Sequence, residues 1–283
     1  MDGTPQTENG QAAHWNGGAG HAWVTAQALL DGMFKPFEEL LVERIGDASA
    51  QRVLDVGCGT GSTTLAVARQ LGATGHCLGA DISAPMIAAA RARAEREGSA
   101  ARFILADVQT EAFGPASFER IISRFGVMFF DNPVRAFANL LHAASGDAEL
   151  VFVAWRSAAD NPFMTTAERA AAPLLPNLPA RRPGAPGQFA FADRQRVASI
   201  LEASGWIEID IRPVDVTCTL PENRLIDYLS QLGPVGLCLQ EVDPDTRKQV
   251  VKTVRSAFDP YVRGADVRYT AACWMVSARA PSA

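Results

Sequence analysis

The run Val53-Leu54-Asp55-Val56-Gly57-Cys58-Gly59-Thr60-Gly61 constrains this chain more than any other feature. A short apolar stretch leads into alternating glycines, and a helix-periodic segment over 62–71 follows. Glycine lets a backbone turn tightly and approach a ligand closely at the helix N-terminus that comes next. The segment therefore reads as a strand, a ligand-facing turn and a helix.

The pattern then repeats. Apolar strands are expected over 52–56, 76–80, 102–106, 118–123 and 149–155, with helices over 62–71, 84–97 and 133–142. This alternation predicts parallel βαβ units, an α/β fold with a doubly wound, mostly parallel, seven-stranded sheet. Ahead of it, residues 1–13 read as a mobile polar tail and 21–45 as one or two leading helices, with Pro36 marking a break or a second start. After it, 156–192 is Pro-rich and irregular, too long for an ordinary connection. A helix over 193–204 capped by Asp193, a strand over 207–217, a broken helical stretch over 222–258 and a last strand over 267–277 complete the chain.

At 283 residues, 48% hydrophobic and 20% charged, the chain reads as one globular domain. Within it, 1–46 is expected to hold the tail and N-terminal lid helices and 47–155 the cofactor-binding half. A Pro-rich lid insertion then covers 156–192, and 193–283 is the C-terminal half of the sheet with its helical insertion at 222–258. A net charge of -5 without a Lys/Arg stripe argues against nucleic acid and anionic membrane as partners. Five cysteines without C-x-x-C spacing suggest neither a disulfide framework nor a zinc site. With no leader-like or membrane-length apolar run, the expected location is cytoplasmic. Nothing in the pattern sets an oligomeric state.

Three acids give the glycine turn its meaning. Asp55 ends the strand before it, Asp81 ends the next strand, and Asp107 ends the one after. Ligands of open α/β sheets bind at this carboxyl edge. A carboxylate at Asp55 repels a pyrophosphate but attracts an ammonium group. Asp81 has two acceptor oxygens for the hydroxyls of a ribose, and Asp107 can accept from an adenine amino group. The third glycine of a G-x-G-x-x-G dinucleotide fingerprint would fall at Ser62, which weakens that competing reading.

On these residues the chain resembles the class I S-adenosylmethionine-dependent methyltransferases, of the small-molecule, ubiquinone/menaquinone-biosynthesis-like branch. Asp55 to Gly61 matches the family's first motif, Asp81 its ribose-binding acid and Asp107-Val108 its adenine-binding pair. Ile121 to Phe130 matches the fourth strand and the loop after it. The resemblance implies cofactor contacts from Asp55, Gly57, Cys58, Gly59, Gly61, Asp81, Ile82, Asp107, Val108 and Ser123. Ser123 would offer its backbone to the methionine moiety, and Ile82 would pack on adenine. One departure is Ala144-Ser145-Gly146-Asp147-Ala148, where many relatives carry Pro-Gly-Gly.

The implied reaction is in-line transfer of a methyl group from S-adenosyl-L-methionine to a small organic acceptor, leaving S-adenosyl-L-homocysteine. It demands alignment and exclusion of water and no metal. The four histidines show no metal-ligand spacing. If the acceptor is a weak acid, His14 or His21 is the candidate general base. Trp15, Phe125, Trp155, Asn161 and Phe163 are candidates for an acceptor pocket, with Arg124 for an acceptor carboxylate. Two other readings stand beside this one: a nicotinamide-dependent oxidoreductase, and a cofactor-binding regulator without turnover.

Overall fold

The computed structural model describes residues 10–46, 51–182 and 184–282. Three helices lead, α1 (Gly10–Asn16), α2 (Gly18–Thr25) and α3 (Gln27–Ile45). Strand β1 (Arg52–Val56), helix α4 (Ser62–Leu71), strand β2 (His76–Asp81), helix α5 (Ala84–Glu97) and strands β3 (Arg102–Leu105) and β4 (Phe118–Arg124) follow. Then come α6 (Pro133–Ala143), β5 (Ala144–Trp155), α7 (Pro162–Ala171), α8 (Arg194–Ala203) and β6 (Ile207–Pro221). Helices α9 (Leu225–Gln231), α10 (Gly233–Cys238) and α11 (Pro244–Ala257) precede the two-residue β7 (Val262–Arg263) and the long β8 (Asp266–Arg279).

The sheet runs β3-β2-β1-β4-β5-β8-β6, with β7 added against β8. Strands β1 to β5 are mutually parallel, and β8 pairs antiparallel with both β5 and β6. The expected doubly wound, mostly parallel sheet of seven main strands is therefore what forms. Its order reverses beside β1, so β1 and β4 diverge there and open a crevice at their carboxyl ends.

Three expectations need correction. Residues 10–13 belong to α1 rather than to a tail, and residues 1–9 lie outside those described. Pro36 does not break the leading helices, because α3 passes through it and the interruption falls at Ala26 instead. Burial of Met33, Phe34, Phe37 and Leu41 on one face of α3 outweighs the hydrogen bond that proline removes. The 156–192 stretch is not wholly irregular: Pro162 occupies the first turn of α7, where a proline starts a helix instead of ending one.

The β6–β8 ladder is longer than the rest of the sheet. Trp155, the last residue of β5, pairs with Cys273, yet β8 continues back to Asp266 and β6 on to Pro221. This overhang extends roughly 20 Å past the carboxyl edge at the usual strand rise. Helices α7, α9, α10 and α11 pack with it through Phe163, Tyr228, Phe258 and Tyr269 and form a cap beside the crevice. Asn161 ties the cap down: with 1% exposure, its Nδ2 donates to Ala272 O (2.8 Å) and its Oδ1 accepts from Ala272 N (2.9 Å). It thereby takes the place of a strand along β8 where β5 has ended.

Candidate active site at the carboxyl edge

The glycines that end β1 divide the work. Gly57, Gly59 and Gly61 all have positive φ (65°, 56° and 87°), which favours glycine over any L-residue. A Cβ on Gly57 would lie 2.6 Å from the Cα of Gly126, so the β1 and β4 loops meet backbone to backbone. A Cβ on Gly61 would strike the Phe103 ring at 2.8 Å, making that glycine a helix-packing residue. A Cβ on Gly59 meets only the sulfur of Met86, at 3.6 Å, so this is the glycine with room for a ligand against its backbone.

Asp81 is 9% exposed and is held by two backbone donors, Gly59 N to Oδ2 and Ser83 N to Oδ1, both at 2.8 Å. Each carboxylate oxygen keeps a further acceptor position. Burial raises its pKa, partly countered by those backbone donors. Asp55, 1% exposed, accepts from Thr64 Oγ1 at 2.6 Å. Burial pushes its carboxyl up to about 7, against the pull of that hydroxyl and of Arg124, with Asp81 and Glu38 adding repulsion. Thus three acids crowd beneath one glycine turn, an environment that favours a bound cation and disfavours a diphosphate.

Glu38 was not legible as part of this site. It is buried on α3 and accepts from Ser62 Oγ at the start of α4, while Lys35 pairs with its other oxygen. Arg93 of α5 adds a second brace, donating to Thr60 O (2.9 Å) and pairing with Asp31 (3.0 Å). Both braces join the glycine turn to α3.

The other residues expected to contact the cofactor lie along the same edge. Asp107 is half-buried and accepts from the backbone and side chain of Gln109 (2.9 and 3.2 Å), whose own oxygen accepts from Asn132 N. Val108 is buried, and Ile82 half-buried, beside them. The Ser123 side chain is enclosed, donating to Val56 O (2.7 Å) and accepting from Gly126 N (3.1 Å), so it joins the β1 and β4 ends. The Cys58 thiol is buried, and that burial holds its pKa well above the ordinary value.

Acceptor-side candidates divide into two groups. Phe125 takes a positive φ of 66°, and its ring stacks on Trp155 at 4.8 Å with an interplanar angle of 13°. Trp155 and Phe163 are 3% and 2% exposed: the Phe125–Trp155 pair forms a buried floor, and Phe163 packs in the cap against Tyr228, Phe258 and Tyr269. The amide of Asn161 is consumed by Ala272. Trp15 is half-buried and lies edge-on to Phe129 (5.0 Å) and Trp23 (5.9 Å). Arg124 is half-buried, and its buried Nη1 has no hydrogen-bond partner among the described residues. His14 and His21 are solvent-exposed, on α1 and α2. His14 packs edge-on to Trp15, and partial burial lowers its pKa; His21 Nδ1 lies 3.0 Å from Gly17 O.

Among the described residues, no group of three His, Cys, Asp or Glu is placed to hold a metal ion, and no helix is long and apolar enough to cross a membrane. All five cysteines are free.

A family model described as a methyltransferase domain matches residues 53–145, which runs from β1 into the start of β5. Aklanonic acid methyltransferase of Streptomyces sp. (strain C5) is 32% identical over 106 residues, 37% of this chain and 48% of that protein. Demethylmenaquinone methyltransferase of Renibacterium salmoninarum is 25% identical over 197 residues, 67% of this chain and 80% of that protein. Several of the curated relatives are matched over about half of their own length. Among solved structures, the YcgJ protein of Bacillus subtilis aligns with a TM-score of 0.56 at 15% identity, over 87% of this chain and 98% of that one. The residues that the family model matches carry the acidic glycine turn, and the sheet around them is similar to that of the YcgJ protein. Residues 53–145 accordingly match a methyltransferase domain, and the chain is similar to S-adenosylmethionine-dependent methyltransferases of the small-molecule type.

Proposed function

We propose that this protein transfers a methyl group from S-adenosylmethionine to a small organic acceptor by in-line displacement. The observation that carries the proposal is the set of buried acids, Asp55, Asp81 and Glu38, around Gly59, the glycine of the turn with space for a ligand. When bound, the cofactor supplies a methyl group on sulfonium sulfur, whose C–S electrons stay with sulfur as the acceptor's lone pair forms the new bond.

The free acceptor positions of Asp81 suit the two ribose hydroxyls, and Asp107 suits the adenine amino group between Ile82 and Val108. Asp55 sets the negative field at the amino-acid end, while the backbone of Gly57 through Gly61 and of Ser123 gives the ligand its seat. Cys58 closes that turn from beneath. Arg124, with a guanidinium nitrogen unpaired and its charge felt by Asp55, is available to a carboxylate where cofactor and acceptor meet. Trp15 on the lid and the Phe125–Trp155 floor, backed by Phe163 in the cap, bound an apolar acceptor and exclude water. Asn161 holds that cap in place. In this reading His14 and His21 lie on the outer side of the lid, and alignment does the work of a base.

Calorimetry with S-adenosylmethionine, beside a nicotinamide dinucleotide, tests the first half of this reading. Micromolar binding of the sulfonium compound alone is expected. Because Asp55 titrates near neutrality, a bound cation draws it toward the carboxylate and releases a fraction of a proton. Binding enthalpy near pH 7 should therefore depend on the ionisation enthalpy of the buffer. An acceptor screen that detects S-adenosylhomocysteine tests the second half, and tight dinucleotide binding without cofactor binding would overturn the whole.

A further inference from the structure

Helix α5 begins directly after the Asp81 carboxylate, and its N-terminus is capped in an unusual way. Ser83 stands at the N-cap position but makes no side-chain cap bond, because its hydroxyl donates instead to the backbone oxygen of Trp15 at 2.7 Å. Pro85 has no N–H to offer. The first free donor of the helix, Ala84 N, is satisfied from outside by Asn16 Oδ1 at 2.8 Å. The same amide of Asn16 donates through Nδ2 to Ile82 O at 3.0 Å and to Ala12 O at 2.8 Å. One side chain at the end of α1 thus reads both sides of the loop that carries Ser83.

The packing around this contact leaves no slack. Ser83 is 0% exposed, and a Cβ on Gly20 would lie 2.0 Å from Trp15 O and 2.9 Å from Ser83 Oγ. On its other side the lid rests on the cap, with Leu237 of α10 3.4 Å from the Cβ position of Gly18. Asp81 is reachable only at its 9% exposed margin while this arrangement holds.

We infer that Asn16 is a positioning residue that latches the α1–α2 lid to the ribose-binding loop, so that entry and exit of the cofactor require the α5 N-terminus to be uncapped. The inference rests on the assignment of Asp81 to the ribose. Opening the lid breaks the two Asn16 bonds and the Ser83 bond together. It also withdraws Trp15 from Phe129, so the acceptor side opens in the same movement. The lid is therefore coupled to the cofactor loop by hydrogen bonds that do not touch the cofactor.

The test uses the full chain, with S-adenosylhomocysteine as probe and two readouts. Stopped-flow fluorescence of the lid tryptophans, Trp15 and Trp23, gives the probe's dissociation rate. Amide exchange of Ala84 in the ligand-free protein gives the state of the latch. Asn16→Ala, which loses both bonds across the latch, should release the probe at least about tenfold faster, and Ala84 exchange, which loses its one acceptor, should speed about tenfold. Asn16→Asp keeps an acceptor for Ala84 N but loses the donor to Ile82 O. It should therefore leave Ala84 protected while still speeding release several-fold, a split that general destabilisation does not produce. Unchanged Ala84 exchange in Asn16→Ala overturns the latch, as does unchanged release in both variants. If the wild-type chain binds no probe, the ribose assignment fails and the exchange readout still decides whether Asn16 caps α5.

Discussion

At the β1–β2–β4 end of the sheet the carboxyl edge is closed by backbone meeting backbone, whereas at the β5–β8–β6 end it is closed by side chains on inserted helices. Gly57 and Gly126 come together with no side chain between them, and Asp81 is gripped by two main-chain donors. Across the crevice, Asn161, Phe163 and Tyr269 bridge α7 to the β8 overhang. Backbone contacts at positive φ admit almost no substitution, while an aromatic cap can be repacked around a different ligand. The first arrangement suits a ligand common to many reactions, the second a ligand particular to one.

The sharpest way to break that comparison is to add one methyl group at each of two adjacent glycines. Gly57→Ala places a carbon 2.6 Å from the Gly126 backbone and should cost at least about 4 kcal/mol, or prevent folding. Gly59→Ala has the same sign of φ but open surroundings and should cost only about 1 kcal/mol, while weakening cofactor binding. Urea denaturation and calorimetry read the two. Equal stability losses would remove the distinction between a packing glycine and a ligand-facing one.

The second expected effect is a slope with pH. An acid whose folded pKa is raised holds its proton more tightly folded than unfolded. Asp55, near 7 against an ordinary 3.8, therefore costs stability progressively as pH rises between those values. Between pH 5 and pH 8 its share of the loss is about 3 kcal/mol, taking roughly two of the three units at 1.36 kcal/mol each. Denaturation of wild type and Asp55→Asn at both pH values checks this. The variant should show the flatter profile, and parallel profiles would mean that Arg124 and Thr64 keep Asp55 ionised.

A comparable loss is expected at the cap, this time from one side chain. Asn161→Ala removes both bonds to Ala272 and a third to Ser157 O, and leaves Ala272 N unpaired in a buried place while Ala272 O keeps Arg156 N. The expected cost is about 3 kcal/mol by urea denaturation. Cofactor affinity should move far less than stability, since no cofactor-side residue touches Asn161. If affinity fell in proportion, the two ends of the edge would be one cooperative unit.

On the cofactor side, Asp81→Asn keeps one carbonyl acceptor but loses the charge and one backbone partner. Affinity for S-adenosylhomocysteine should fall ten- to hundredfold by calorimetry, the scale of one or two charge-assisted bonds. An unchanged affinity would sink the ribose assignment.

These two ends also differ in how far they could be read from the chain. Asp55, Asp81 and Asp107 were legible because a strand end fixes where the next side chain lies, and Gly57 to Gly61 because their spacing is local. Glu38 and Asn16 were not: each completes a bond to a residue far along the chain, Ser62 and Ile82, and nothing in their own neighbourhoods signals it. Pro36 was read as a break or a second start, and 156–192, which holds Pro162, as irregular, because proline is ambiguous without its context. Phe37 and its neighbours bury the α3 face that carries the first, and the second sits where a helix begins. Phe125, Trp155 and Phe163 were expected at an acceptor pocket, but burial cannot be read from aromatic identity alone: the first two stack in the interior and Phe163 packs among the cap aromatics.

The smallest expected effect concerns His14 and His21. Both side chains face solvent, and the nearest aromatic neighbour of His14 is Trp15 on the same helix. His14→Gln and His21→Gln should each change stability by no more than about 0.5 kcal/mol, as surface substitutions do. Cofactor affinity should stay within about twofold, because neither ring reaches the Asn16 latch. The informative measurement is the pH profile of turnover once an acceptor is found. Retention of the wild-type profile in both variants is expected if alignment alone carries the transfer. A lost limb in either one, at a pKa lowered as burial lowers that of His14, would instead make the lid a chemical participant and move catalysis to the side-chain end of the edge.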